Sequence, residues 1–290
     1  MIADRTWFRE GELAGMRYNL ITADKILSGA HGSRLGASTG SSLDFSDYRE
    51  YHPGDDLRRL DWNIYARSDR LTVKLFHEEV SPHLDIIIDS SASMALDPGT
   101  SKAKATAWLA ALLWTAARNG ECTATGWSIA DRIRSLGENA RRPSEWEPLS
   151  FEAGSDPLRT ISATGCIWRR NGIRILISDL LWQGEPSRAI KHLSENAAQT
   201  IVIQLLSEAD INPPPAGRWR LVDSERNTSL DIFVDAATQA KYRNALRKLQ
   251  LQWRDACRKH GALFTTMTAE KLLASGHPQT LEQAGILSPG

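Results

Sequence analysis

Residues 84–89 read LDIIID and residues 173–179 read IRILISD: two short, mainly apolar runs, each closed by an aspartate. A strand solvated on one side alternates apolar with polar residues, whereas a near-continuous apolar run needs cover on both faces. TIVIQLLS (200–207) has the same character, and ALFTTM (262–267) supplies a last short strand. Helical segments lie between them. SKAKATAWLAALLWTAARNG (101–120) stops at Asn119-Gly120, EPSRAIKHLSENA (185–197) follows the second run, and a stretch over about 236–260 carries Tyr242, Leu246, Leu249 and Trp253 at helical spacing. Alternation of buried strands with helices predicts an α/β fold with a mostly parallel central sheet and helices on both faces.

The remaining segments attach to that core. TATGWSIA (123–130) and DRIRSLG (131–137) read as an antiparallel edge pair, and RWRLVDSERNTSLDIFVD (218–235) as a β-hairpin insertion turning near Arg226-Asn227. Residues 1–80 form an N-terminal segment distinct from an α/β domain over 81–290. Within it, a helix is expected from Glu12 to Leu27, with Leu13, Met16, Leu20 and Ile21 as its apolar positions. The glycine- and serine-rich stretch 28–42 lacks the Gly-Lys-Ser/Thr ending of a phosphate-binding loop and reads as a connector. Asp55, just after Pro53-Gly54, is the expected N-cap of a short helix containing Leu57, Leu60 and Ile64, and RLTVKLFHEE (70–79) alternates as a strand. The cluster of Asp55, Asp56 and Asp61 with Arg58 and Arg59 is read as helix caps and ion pairs, with partner docking as the alternative.

Thirty-five basic residues balance thirty-five acidic ones in the 290-residue chain, so bulk charge favours neither nucleic acid nor a membrane surface. The basic groups Arg132, Arg134, Arg141 and Arg142, and Lys241, Arg243, Arg247 and Lys248, read as solvated faces. Three distant cysteines, Cys122, Cys166 and Cys257, suit neither a zinc site nor a disulfide framework. With no apolar leader and no run of ~20 apolar residues, the expectation is a cytoplasmic protein without a membrane span. No HExxH, GxSxG or Cys-His pattern offers a nucleophile, so the chain is not expected to be an enzyme.

That leaves the strand ends. In an open parallel sheet, ligands bind beyond the carboxyl ends of the strands, where the strand order reverses. If the strands ending in Asp89 and Asp179 are neighbours, their carboxylates face one crevice. Ser91 and Ser93 continue the two-residue alternation beyond Asp89 and can turn hydroxyls to the same side. Carboxylates and hydroxyls are ligands for a hard divalent cation, magnesium or manganese. The plainer alternative is that Asp89 caps a turn and the serines satisfy loop amides.

A strand followed by DxSxS, a helix and a later strand ending in aspartate resembles the von Willebrand factor A domain and its metal-ion-dependent adhesion site. More closely, GSSLDFSDYREYHPGDDLRRLDWNIYAR (40–67), then the strand to HEE, DSSASM, the downstream Ser101-Lys102 and the ISD of the later strand resemble the bacterial DUF58 family. The resemblance covers nearly the whole chain. It implies a Rossmann-like sheet, a magnesium or manganese ion held by Asp89, Ser91, Ser93 and Asp179, and Ser155 as the middle ligand, with Thr160 and Thr164 as alternatives. It further implies an assembly module that recruits an acidic residue of a protein partner, alongside a MoxR-type AAA+ ATPase. A metal-dependent hydrolase or phosphatase using the same crevice is the alternative function. The resemblance implies that many relatives carry membrane spans before this region, and this chain is expected to resemble the soluble subset.

Overall fold

The computed structural model describes residues 1–21, 43–53, 55–78, 82–96, 101–137, 141–154, 156–163, 167–222 and 229–290. The chain separates into two compact units, one of Met1–Gly29 with Pro82–Gly290, the other of Ala30–Ser81.

The first unit opens with α1 (Arg5–Gly15), whose N-cap Asp4 accepts the Thr6 amide, followed by β1 (Tyr18–Leu20). The helix expected over 12–27 is therefore displaced: it ends at Gly15, and residues 22–27 lie outside the described residues. Its expected apolar face is wrong as well, because Leu13 and Met16 are each 64% exposed. The buried face carries Phe8, Gly11 and Gly15. A Cβ on Gly11 would stand 2.1 Å from the Trp108 carbonyl oxygen, and one on Gly15 2.7 Å from that of Leu112. Backbone-to-backbone approach, rather than an apolar stripe, packs this helix.

In the second unit, β2 (Leu43–Glu50) pairs antiparallel with β3 (Thr72–Glu78) around α2 (Trp62–Ser68). The caps differ from expectation. Asp56 accepts the Arg58 amide before a short 3-10 turn, and Asp61 accepts the Asn63 and Ile64 amides before α2. Asp55 instead pairs with Arg49 at 2.9 Å. Lys74 lies 3.1 Å from Asp61.

The large sheet begins with β4 (His83–Asp89), followed by α3 (Ser101–Asn119), β5 (Thr123–Ile129), β6 (Ile133–Ser135), α4 (Pro157–Ala163), β7 (Ile173–Ser178), α5 (Pro186–Ser194) and β8 (Gln199–Leu206). A single turn of helix, α6 (Glu208–Ile211), leads to the hairpin β9 (Gly217–Val222) and β10 (Ser229–Val234), whose turn lies outside the described residues. The long helix α7 (Ala236–Lys259), β11 (Leu263–Thr268), α8 (Ala269–Ser275), α9 (Gln279–Gln283) and β12 (Leu287–Pro289) complete the chain. β12 pairs antiparallel with β1.

Strand order in the six-stranded sheet is β11-β8-β7-β4-β5-β6, parallel throughout except for the edge strand β6. The expected antiparallel edge pair is thus β5–β6. Alternation along β4 divides the core. Ile86 and Ile88 join α1, α3, α8 and α9 on one face, while Ile87 joins Ile161 of α4, Ile190 of α5 and Trp253 of α7 on the other. All three isoleucines have no exposed surface, and each such burial is worth about 1.5–3 kcal/mol. Helices therefore cover both faces of a mixed, mainly parallel sheet. Among the described residues, no helix is long and apolar enough to cross a membrane.

Candidate functional site

From β4 the chain crosses first to β5 on one side and later to β7 on the other, so strand order reverses between β4 and β7. Ile88 pairs with Ile177 in that register, which brings Asp89 beside Ser178 and Asp179 at the carboxyl edge. Both aspartates are fully buried. The adjacency that the sequence left conditional is therefore present.

Every partner of Asp89 donates to it. Its Oδ1 accepts the Ser91 amide at 2.9 Å, and its Oδ2 accepts the Ser178 hydroxyl at 2.6 Å and the Trp182 indole N–H at 2.9 Å. The Ser178 oxygen itself accepts the Leu180 amide, so its proton points to Asp89. A carboxylate surrounded by donors is held in its ionised form. Burial, and then the neighbouring Asp179 charge, push the Asp89 pKa up to about 6. The donors favour the charged form, and burial with the Asp179 charge opposes it.

Asp179 is anchored differently. Its Oδ1 accepts the Leu181 amide at 3.1 Å, and its Oδ2 lies 3.2 Å from the ammonium of Lys102. The same ammonium lies 2.9 Å from Asp210 on α6. Burial alone lowers a lysine pKa, but the Asp179 and Asp210 carboxylates outweigh it and raise that of Lys102. Leu180, buried and with φ +56, turns the chain through the left-handed region and returns Trp182 toward Asp89. Backbone strain of this kind at a bulky residue persists only where surrounding contacts enforce it. Here the Trp253 indole donates to the Leu180 carbonyl and packs edge-on to Trp182, with centroids 5.3 Å apart.

Beyond Asp89 a 3-10 turn over Ala92–Ala95 sets the serine hydroxyls. Ser91 Oγ and Ser93 Oγ hydrogen-bond to each other at 3.0 Å. Ser91 bridges in parallel to Ala153, so the 150–154 strip runs alongside this loop. Ser155, the expected middle ligand, and Thr164 lie outside the described residues. Thr160 is buried and donates to the Ala130 carbonyl at 3.0 Å. A cavity of about 1010 Å³ opens beside Ser93, walled by Leu158, Arg159, Leu181, Trp182 and Arg188.

Two carboxylates with two hydroxyls form an all-oxygen donor set that suits a hard divalent cation rather than zinc. Among the described residues no group of three or more His, Cys, Asp or Glu is placed to hold a metal. Asp89 and Asp179 close neighbouring strands, and Ser91 and Ser93 lie on the turn that follows Asp89. Ser178, Trp182 and Asp210 were not singled out, and Lys102 entered only through the family resemblance. A serine, a tryptophan and a lysine far along the chain carry no local signal of where they will meet.

Geometry of this sort defines a class: a mainly parallel α/β sheet that gathers oxygen donors at the carboxyl edge of its central strands. The family described as "Protein of unknown function DUF58" matches residues 47–252, and the chain belongs to it. Uncharacterized protein Rv1480 of Mycobacterium tuberculosis and Uncharacterized protein Mb1516 of Mycobacterium bovis are each 27% identical over 248 residues, spanning 80% of this chain and 77% of theirs. Among solved structures, the conserved hypothetical protein BatB from Bacteroides thetaiotaomicron is matched at 9% identity and a TM-score of 0.34, over 70% of this chain and 98% of that one. An aerotolerance-related membrane protein from Bacteroides fragilis is matched at 11% identity and a TM-score of 0.35, over 70% and 99%. The architecture above rests on the strand order alone.

Proposed function

We propose that this protein is an interaction module of the von Willebrand factor A type, which binds magnesium or manganese and recruits an acidic residue of a protein partner. The observation that supports this reading is the placing of Asp89 and Asp179 at the ends of adjacent parallel strands, with the Ser91 and Ser93 hydroxyls, hydrogen-bonded to each other at 3.0 Å, on the turn after Asp89. Asp89, Ser91, Ser93 and Asp179 hold the cation, and Ser155 is the proposed fifth ligand. A divalent cation bound by two carboxylates and a few hydroxyls keeps open coordination positions, which a partner carboxylate can fill. The cation bridges two proteins, and no bond is broken. The adjoining cavity, walled by Leu158, Leu181 and Trp182 with Arg159, Arg188, Asp156 and Glu185, gives the partner's flanking residues apolar surface and charges of both signs. The family resemblance makes a MoxR-type AAA+ ATPase the first partner to try, in the cytoplasm.

The test is thermal unfolding of wild type and Asp89→Ala against magnesium and manganese, with calcium as a control. A cation at ~100 times its dissociation constant stabilises the native state by about 2.7 kcal/mol. Saturable stabilisation of wild type that Asp89→Ala lacks is the expected result. Equal behaviour of the two proteins would remove the cation site from the proposal. Magnesium-dependent capture of the ATPase by wild type, and not by Asp89→Ala, then tests the partner.

A further inference from the structure

One charged group inside the crevice is left over from the donor set. Lys102 is 1% exposed, and its Nζ lies 3.2 Å from Asp179 and 2.9 Å from Asp210. A lysine in a helix is ordinarily a solvated residue, and one buried this deeply needs full pairing. Its berth is rigid. Asp210 Oδ2 accepts the Ser207 amide at 2.8 Å and the Ser207 hydroxyl at 2.9 Å, and the Asp210 carbonyl accepts the Tyr242 hydroxyl of α7 at 2.7 Å. Next to it, Ser101 donates to Glu270 at 2.8 Å, a carboxylate that also takes the Glu208 amide. Lys102 thus spans two carboxylates, one belonging to the candidate cation site and one outside it.

The charge count is informative. Asp89, Asp179 and Asp210 carry three negative charges, and Lys102 cancels one. The remaining two match a single divalent ion, and a buried cluster is cheapest when its charges sum to zero.

We infer that Lys102 is a resident cation that shares Asp179 with the divalent ion and thereby sets the affinity of the site. This rests on the reading of Asp89, Ser91, Ser93 and Asp179 as the cation site. When the divalent ion binds, repulsion shifts the pairing of Lys102 from Asp179 toward Asp210. The lysine holds the carboxylates in place without the metal, and it keeps metal affinity low enough for the partner carboxylate to contribute to retention.

Manganese binding to the full chain, followed by the electron paramagnetic resonance of free Mn2+ with folding checked by circular dichroism, tests the inference. Lys102→Gln removes the competing charge and is expected to bind Mn2+ about tenfold tighter or more. Asp210→Asn keeps an acceptor for Ser207 but leaves Lys102 with Asp179 alone, and is expected to bind several-fold more weakly. Lys102→Gln binding equal to or weaker than wild type overturns the inference. Should Lys102→Gln not fold, an unchanged affinity in Asp210→Asn overturns it by itself. Equal Mn2+ binding by wild type and both variants removes only the role of Lys102. Failure of all three proteins to bind Mn2+ at millimolar concentration removes the cation site along with it.

Discussion

Asp85 and Asp89 lie four residues apart on β4 and leave the same face of the sheet. Both are buried, and each takes an indole N–H, Asp85 from Trp127 at 2.8 Å and Asp89 from Trp182 at 2.9 Å. Their surroundings then diverge. Asp85 sits at the amino half of the strand, 3.3 Å from the His83 ring and opposite Arg174 of β7 in register. Asp89 sits at the carboxyl edge against a second carboxylate, on the turn whose Ser93 lines an open cavity. Burial and an indole bond are common to both carboxylates of β4. A second carboxylate forced against the first works against folding, and such arrangements concentrate where function retains them.

Three experiments sharpen that contrast. The largest effect is expected at the amino end. The Arg174 guanidinium is fully buried, donates to the carbonyls of Leu193, Glu195 and Arg169, and stacks on Trp168 with its centre 5.4 Å from the ring. Arg174→Met strands the Leu193 and Glu195 carbonyls at the end of α5 and that of Arg169 before β7, and should cost about 3 kcal/mol or more in urea unfolding. Manganese affinity of the folded variant should not change. If the affinity fell with stability, the two ends of the sheet would be coupled and the contrast lost.

Second, deleting the two indole donors separates structural from functional carboxylates. Trp127→Phe and Trp182→Phe each remove one hydrogen bond to a charged group and should each cost about 1.5–3 kcal/mol. Only Trp182→Phe is expected to weaken Mn2+ binding, by about tenfold, because groups outside the ligand set orient the ligands. Equal affinities in the two variants would place Asp89 in the same structural category as Asp85.

The third contrast is in pH dependence. Asp89 titrates near 3.8 when unfolded and at about 6 when folded, first because of burial and then because of Asp179. The folded state therefore binds more protons between those values, and stability from this group is full below ~3.8 and lost as pH rises through about 6. In chelator-containing buffer, the melting temperature of wild type should fall relative to Asp89→Ala as pH rises from about 4 to about 7. A difference independent of pH would reject burial against Asp179 as the cause. Asp61 shifts the opposite way: burial pushes it up, but the Lys74 contact and the Ile64 and Asn63 amides outweigh that and lower it. Its contribution is present above the unfolded value and lost as pH falls through the lower folded one, so acid loosens the second unit where it favours the sheet.

Much of the frame was legible in the chain itself. Runs without alternation at 84–89, 173–179 and 200–207 mark strands covered on both faces, and the aspartates closing the first two fix which edge carries them. Repeat period and apolar content are properties of neighbouring residues, so a one-dimensional reading recovers them. Other features were decided only in three dimensions. Gly11 and Gly15 present no apolar side chain, yet they are the face on which α1 packs. The adjacency of β4 and β7 comes from a crossover that no local pattern specifies. Lys102 reads as a solvated helix residue until Asp179 and Asp210, 77 and 108 positions further along, close around it. Sequence determines which segments must be buried, because burial follows from local composition and period. The charge a buried lysine meets is set by distant segments, and only their packing determines it.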